Sequence, residues 1–490
     1  VKTSLKTLLL LPALLAGLCL IPASRVTAQT FTNLHSFTAT HINGAGAYTN
    51  SGGAYPSAGL VLSGNTLYGT ASGGGTNGNG TVFAVNTDGT GFTVLHTFTA
   101  LINSTNSDGA NPAAGLLQDG EFLFGTAQYG GTNGNGTVFT LRTDGLYFTN
   151  LHSFTALSAP YYQGGTNSDG ANPAAGLILA EFITLYGTAE HGGTNGNGTV
   201  FALNTDGSDF TTLHTFTAYI NFTNSDGADP AAGLLLSGNT LYGTAGGGGS
   251  GGDGTVFALN ADGTGFTNLY SFTAFSSVYF NNSDGANPDG GLVLSGNTLY
   301  GTTHSAGTNG GGTVFAVNTN GTGFTNLHPF TGGSDGDNPY AGLISSGNTL
   351  FGTAGNGGNS FDGTLFAVTT NGVGFTTLHT FTNSPDGASP HASLILSGNT
   401  LYGTTEGGGT NGMVFSLSLP TPQLTIIRSG TNAIVTWPTN ALEFTLQSTT
   451  NLVPPTVWTT VSPPPYAVIY TNNVVTNTIS GTNRFYRLSL

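Results

Sequence analysis

Apolar positions along this chain come in short alternating runs, and each run is closed by Gly, Asn, Asp or Pro. In the first complete set the runs are Ala58-Gly59-Leu60-Val61-Leu62, Leu67-Tyr68-Gly69-Thr70, Thr81-Val82-Phe83-Ala84-Val85 and Phe92-Thr93-Val94-Leu95-His96-Thr97-Phe98. A period of two, β-branched and aromatic content and turn-forming borders predict four short strands. Ser63-Gly64-Asn65-Thr66 and Asn86-Thr87-Asp88-Gly89 read as tight turns between the first and second, and the third and fourth, strands.

The second run recurs with its aromatic at Tyr68, Phe124, Tyr186, Tyr242, Tyr300, Phe351 and Tyr402, and the other three travel with it. An interval of about 56 residues holding a four-stranded meander is the signature of a propeller blade rather than of the usually shorter solenoid repeat. Stacked blades cover the two faces that one meander cannot bury, and a closed ring hides its edges. The expected fold class is therefore all-β: a seven-bladed β-propeller of four-stranded antiparallel blades over residues 29–418. The fourth-strand phrase first appears at Phe31–Phe37, ahead of any other strand, and is missing after Met413-Val414-Phe415. This phase predicts a ring closed by the N-terminal strand, although seven intact blades starting at Phe31 give the same strand count. Because strands alternate in direction, the two tight turns fall on one face and the two longer connections on the other. On this reading all the sequence novelty lies on the second face, where loops on a rigid scaffold usually carry function.

Residues 419–424, with Pro420 and Pro422, read as a linker. After it the repeat stops, and strand-like runs such as Ala433-Ile434-Val435-Thr436-Trp437 and Arg484-Phe485-Tyr486-Arg487-Leu488 predict a small β-sandwich over 425–490, of fibronectin III or immunoglobulin type without the disulfide. Trp437 and Trp458 are expected to pack in its core. At the other end Lys2 and Lys6, an apolar run from Leu8 to Pro22 and the small-residue site Val26-Thr27-Ala28 read as a signal peptide over 1–28. The mature protein is then secreted, or lies at the cell surface or in the periplasm. Cys19 sits inside that segment, and Leu18 before it breaks a lipobox. No later run approaches the ~20 residues of a membrane-spanning helix.

Charge narrows the partners. Past residue 28 only Arg142, Arg428, Arg484 and Arg487 oppose 22 acidic residues, a balance that repels nucleic acid. The chain is expected to be monomeric, with no cofactor and no metal.

Gly291-Leu292-Val293-Leu294-Ser295-Gly296-Asn297-Thr298-Leu299-Tyr300-Gly301-Thr302, together with Gly74-Gly75-Thr76-Asn77-Gly78-Asn79-Gly80-Thr81-Val82-Phe83, resembles the bacterial GloVer-type tandem repeat. The resemblance implies an exported protein with a propeller-like array and, commonly, a C-terminal sorting or anchoring segment. It brings no site residues with it. This chain departs from the anchored pattern, ending Arg487-Leu488-Ser489-Leu490 without an apolar helix or basic stop.

Six histidines (His35, His96, His152, His214, His328 and His379) share one repeat position with Tyr270, and recurrence marks them as structural. Asp108, Asp169, Asp226, Asp284, Asp335 and Asp386 supply one carboxylate per loop, which falls short of a calcium loop and reads as turn chemistry. Gly332-Gly333-Ser334-Asp335-Gly336 matches a nucleophile elbow only by coincidence, being a repeated loop. The glycine-rich runs lead into strands without a following lysine, which excludes a Walker site.

Residues that break the repeat are more informative, because symmetry does not account for them. After the second strand, where other copies hold Gly or Ser, stand Gln128-Tyr129, Glu190-His191, His304 and Glu406. Tyr161, Tyr162 and Tyr279, with Tyr219, Phe222, Phe280 and Tyr340, add aromatic rings suited to sugars or protein partners. The first functional reading is a non-enzymatic exported scaffold binding a glycan or protein through the variable face. The alternative is a carbohydrate-active hydrolase or lyase using Glu190 and Glu406 as catalytic acid and base. A purely structural envelope role is the third.

Overall fold

A computed structural model describes residues 29–276, 281–420, 424–438, 445–452, 456–461, 467–469, 472–478 and 484–489. Two compact units emerge, one spanning Phe31–Leu417 and the other holding the C-terminal strands. The expected signal segment 1–28 and linker positions 421–423 lie outside the described residues.

The larger unit is built from repeated four-stranded antiparallel sheets, an all-β arrangement compatible with a propeller-like fold. Sheet 1 comprises Val61–Ser63, Thr66–Ala71, Thr81–Asn86 and Thr93–Thr97. The same meander recurs five times, from sheet 2, beginning at Leu117–Asp119, to sheet 6, ending at Phe375–Thr380. In sheet 7 the strands Ile395–Ser397, Thr400–Thr405 and Met413–Ser418 are joined by Thr30–Ser36, which lies beside Met413–Ser418. The N-terminal strand thus supplies the fourth strand that the last repeat lacks.

The alternation explains the packing. In sheet 1 Leu67 and Ala71 face one neighbour, while Tyr68, Val82 and Ala84 face Leu116, Leu123 and Phe139 of sheet 2. Equivalent clusters join sheets 2 and 3, 3 and 4, 4 and 5, and 5 and 6. Leu34, Phe37 and Val414 of sheet 7 pack on Leu60, Leu67, Phe83 and Val85 of sheet 1. Gly69 must be glycine, because a Cβ there would lie 2.6 Å from the Phe83 ring. Each second strand also sends a threonine hydroxyl to a backbone carbonyl just before the next sheet: Thr70 to Ala114 at 2.9 Å, Thr126 to Ala175, Thr188 to Ala232, Thr244 to Gly290, Thr302 to Ala341 and Thr353 to Ala392. Thr404 of sheet 7 makes the same bond to Ala58, ahead of sheet 1, at 3.0 Å. A cavity of about 320 Å³ is lined by Gly59, Gly115, Gly176, Gly233, Gly291 and Gly342 and, in sheet 7, by Ser393.

One expectation is corrected. Novelty is not confined to the longer connections, because the tight turns of sheets 2 and 3 also break the pattern. They carry exposed Phe122, Leu146, Tyr147, Phe182 and Ile183, with Phe182 81 % exposed. Tyr147, Glu181 and Phe182 take positive φ of 56°, 51° and 61°. At Glu181 space permits this: a Cβ at the equivalent Gly64 meets nothing within 4 Å, so that tip is sterically open and backbone strain is the main cost.

In the smaller unit, Thr425–Ser429, Asn432–Pro438, Asn472–Thr478 and Ala467–Ile469 form one sheet in that order, and Thr459–Thr460, Thr445–Thr449 and Phe485–Ser489 form another. Val435, Trp437 and Leu446 share a buried cluster drawn from both. Trp437 is buried as expected, whereas Trp458 is half-buried with the Arg487 guanidinium 4.5 Å above its ring.

Candidate functional site

The recurring histidines fasten neighbouring parts of the array together. His96, His152, His214, His328 and His379 each place Nε2 2.9 to 3.1 Å from a carboxylate oxygen of Asp108, Asp169, Asp226, Asp335 or Asp386. Tyr270 replaces the histidine in sheet 4, donating its hydroxyl to Asp284 at 2.8 Å. These carboxylates also accept the backbone N–H and hydroxyl of a threonine just past the fourth strand, as Asp108 does from Thr99. Turn chemistry is therefore not what they supply. The Asx turn is made by the preceding amide, with Asn106 accepting the N–H of Gly109 at 2.9 Å. Each ring lies flat on a phenylalanine of the next sheet: His35 on Phe92, His96 on Phe148, His152 on Phe210, His214 on Phe266, Tyr270 on Phe324 and His328 on Phe375.

The residues that break the repeat occupy one structural slot. The backbone N–H groups of Gln128, Glu190, His304 and Glu406 donate to the carbonyls of Asn111, Asn172, Asn287 and Ser389, each of which precedes a proline and has φ of 55° to 58°. From that slot the side chains reach from sheet to sheet. Gln128 comes near enough to Glu190 to oppose the rise of its carboxyl, and Tyr161 stacks on the His191 imidazole with centroids 4.6 Å apart and planes 6° from parallel. His191 Nδ1 lies 3.4 Å from Asp229, which also accepts the Tyr219 hydroxyl at 3.1 Å. Further round, His304 Nδ1 is 2.7 Å from Asp289 and stacks on Tyr340. Tyr340 meets His391 edge-on at 4.8 Å, and His391 Nδ1 is 2.6 Å from Glu406.

Asp229, Asp289 and His391 are members of this arc that the sequence analysis passed over. The signal was present, since each replaces an Asn, Ala or Ser beside the proline that opens its repeat. Tyr162 packs edge-on against Tyr161 and is otherwise exposed. Tyr279 lies outside the described residues.

The arc separates its two glutamates electrostatically. Burial pushes the Glu190 carboxyl up, and Asp229 and Asp289 add to the rise against the opposing effect of His191 and Gln128. The hydrogen bond from His391 holds Glu406 down in spite of burial. Burial would lower His191, but its bond to Asp229 and the charges of Glu190 and Asp229 outweigh that and raise it. Among the described residues no group of three or more His, Cys, Asp or Glu side chains is arranged to hold a metal ion.

Beside the arc lies a cavity of about 530 Å³ between the loops of sheets 1, 2 and 3, walled by Leu101, Asn111, Tyr129, Asn135, Tyr161 and Asn172 among others. Neither Glu190 nor Glu406 lines it. No helix among the described residues is long and apolar enough to cross a membrane.

The model of the Gloeobacter/Verrucomicrobia repeat matches residues 25–218, 161–278 and 273–452. No curated protein matches the sequence. Among solved structures, the chain is similar to the GH74 xyloglucanase from Xanthomonas campestris, with 11 % identity, 84 % of this chain and 59 % of that one covered, and a TM-score of 0.48. It is also similar to an oligogalacturonate lyase from Vibrio parahaemolyticus (11 % identity, 81 % and 98 % covered, TM-score 0.46) and to a puromycin hydrolase (11 % identity, 83 % and 61 % covered, TM-score 0.47).

Proposed function

The chain belongs to the Gloeobacter/Verrucomicrobia repeat family, and we propose that it is an exported, non-enzymatic seven-bladed β-propeller that binds a glycan through the loops after its second strands. Closure is supported by two contact series that return to their start. The threonine bonds run from sheet to sheet until Thr404 reaches Ala58, and the ring stacks run from His35 on Phe92 round to His379 on Phe31. The cavity lined by one Gly or Ser from every sheet further supports a central axis. Export rests on the signal-like segment 1–28, and residues 425–490 are read as a small β-sandwich carried behind the propeller.

The observation that carries the binding role is the arc of repeat-breaking side chains. Sheets 1, 4 and 6 hold Ser72, Gly246 and Gly355 in the slot that elsewhere holds Gln128, Glu190, His304 and Glu406, and they form the same meander. Folding therefore does not require those polar and aromatic groups, whereas recognition of a hydroxyl-rich ligand does. A glycan array probed with the full chain tests this. At least one glycan class is expected to bind and to weaken about tenfold in Tyr340→Ala, a loss of about 1.4 kcal/mol. An array without hits, or hits indifferent to Tyr340→Ala and Glu190→Gln alike, overturns the reading.

A second reading is favoured by the opposite displacements of Glu190 and Glu406, which acid/base cleavage of a glycoside needs. It requires the two carboxyls to share a cleft. Polysaccharide turnover abolished by Glu190→Gln and Glu406→Gln would establish it, and turnover unchanged by both ends it.

A further inference from the structure

Resting on the glycan-binding reading above, we infer that the cavity between the loops of sheets 1, 2 and 3 is the principal saccharide subsite and that it takes an uncharged sugar. Its volume of about 530 Å³ falls within the ~300–1,000 Å³ of small-molecule sites. Among its lining residues there is no charged side chain: amides, hydroxyls, glycines, two phenols, Ala110 and Leu101 make up the wall. That composition suits a ligand that presents hydroxyls from its edges and C–H groups from its faces.

The polar wall has spare capacity. Asn111 donates its side-chain N–H to the side-chain oxygen of Gln128 at 3.3 Å, and Asn172 donates to the Gln128 backbone carbonyl at 3.1 Å. The side-chain oxygens of both asparagines are enclosed and accept no hydrogen bond, and Asn172 is only 4 % exposed. A buried acceptor without a donor calls for one from outside, and a sugar hydroxyl or a water is the donor available. The apolar wall is held in place as well. Tyr161 sits in the single turn of 3-10 helix, Tyr161–Gln163, within the connection between sheets 2 and 3. Its ring is fixed by the His191 imidazole and remains 43 % exposed, a platform for the face of a pyranose.

The same surroundings reject an acidic sugar. Arg142 is the one Lys or Arg between residues 29 and 418, and it is engaged by Glu121 and Asp144 at the tight turns of sheet 2. Glu190 adds negative potential at Tyr129. A uronate or sulfate in the cavity would thus find no Lys or Arg to pair with, and would feel the negative potential that Glu190 adds at Tyr129.

Isothermal titration of the full chain with cellohexaose, xylohexaose, mannohexaose and hexagalacturonate tests the inference. At least one of the three neutral hexasaccharides is expected to bind, about tenfold more weakly in Tyr161→Ala and within about threefold of the parent in Tyr161→Phe, with hexagalacturonate inert. Thermal melts of both variants exclude loss of fold as the cause. Hexagalacturonate binding as tightly as the neutral sugars overturns the uncharged class. Neutral binding that falls in Tyr340→Ala yet persists in Tyr161→Ala overturns the subsite while leaving the loop-face reading standing. Failure of every probe here and of the glycan array overturns both.

Discussion

The imidazole of His379 lies flat on the phenyl ring of Phe31, with centroids 4.3 Å apart and planes 9° from parallel. The histidine belongs to sheet 6 and the phenylalanine to the strand that completes sheet 7. Phe31 also packs against Phe415 at 5.3 Å, and Phe37, just past the end of that strand, is fully buried. Phe31→Ala is expected to cost about 2 kcal/mol and Phe37→Ala about 3–5 kcal/mol in urea unfolding. A cost below about 1 kcal/mol for Phe37→Ala is incompatible with the core position of this strand.

Tyr270 and the five paired histidines bring different donors to the same carboxylate. Tyr270→His should therefore be tolerated within about 0.5 kcal/mol, since Asp284 then accepts an imidazole N–H as Asp226 does from His214. Tyr270→Phe keeps the stack on Phe324 but removes the donor, at an expected cost of about 1–3 kcal/mol. Denaturation midpoints of the two variants in parallel make the comparison. Equal losses would mean that the hydrogen bond contributes nothing.

Stability should decline in two stages on acidification. Burial holds the imidazoles of His35, His328 and His379 below the ordinary value of 6.5, outweighing for the last two the pull of Asp335 and Asp386. The unfolded chain then binds protons before the folded one, so stability present above about pH 6.5 is lost as pH falls through the lowered values. Burial would raise Asp108, Asp169 and Asp226, but hydrogen bonds from histidine and threonine outweigh it and hold them below 3.8. Their contribution is complete above that pH and is lost as pH falls further. His191, raised, contributes in the opposite sense, stabilising below 6.5 and losing that contribution as pH rises. Urea midpoints between pH 3 and 8 should show a shallower first stage in His379→Gln and a steeper one in His191→Gln. Profiles that coincide with the parent refute the assignment.

Tyr147 occupies a left-handed position, φ 56°, that Gly91, Gly265 and Gly323 fill in other sheets. Its ring is 70 % exposed, with Arg142 5.7 Å from the centroid. Relief of backbone strain should outweigh the lost contact, so Tyr147→Gly is expected to stabilise by about 0.5–1 kcal/mol in spite of the entropy cost of glycine. A lowered melting temperature would show that the Arg142 contact outweighs the strain.

The meander was legible because its signals are local: alternation within each run, and Gly, Asn or Asp at fixed offsets between runs. The pairing of Thr30–Ser36 with Met413–Ser418 followed from the phase of the repeat. The histidine–aspartate bonds were hidden because a loop of variable length separates the partners. His152 and Asp169 are 17 residues apart, whereas His328 and Asp335 are 7 apart. Asp229, Asp289 and His391 were missed for a different reason. They lie at the entry to a repeat rather than after its second strand: Asp229 meets His191 of the preceding repeat, and Asp289 and His391 meet His304 and Glu406 of their own only once the first two strands have folded back. The aromatic turns of sheets 2 and 3 were passed over because the remaining copies of the same turns are so uniform.

The placement of Thr30–Ser36 beside Met413–Ser418 also orders events during synthesis. The first described strand to leave the ribosome is among the last to find its partner, waiting until nearly four hundred further residues have been made. Until then sheets 1 to 6 can form in turn, while the edge of Thr30–Ser36 that Met413–Ser418 will occupy stays without its partner strand. That interval is when such a chain is open to chaperones, proteases and its own unfinished copies.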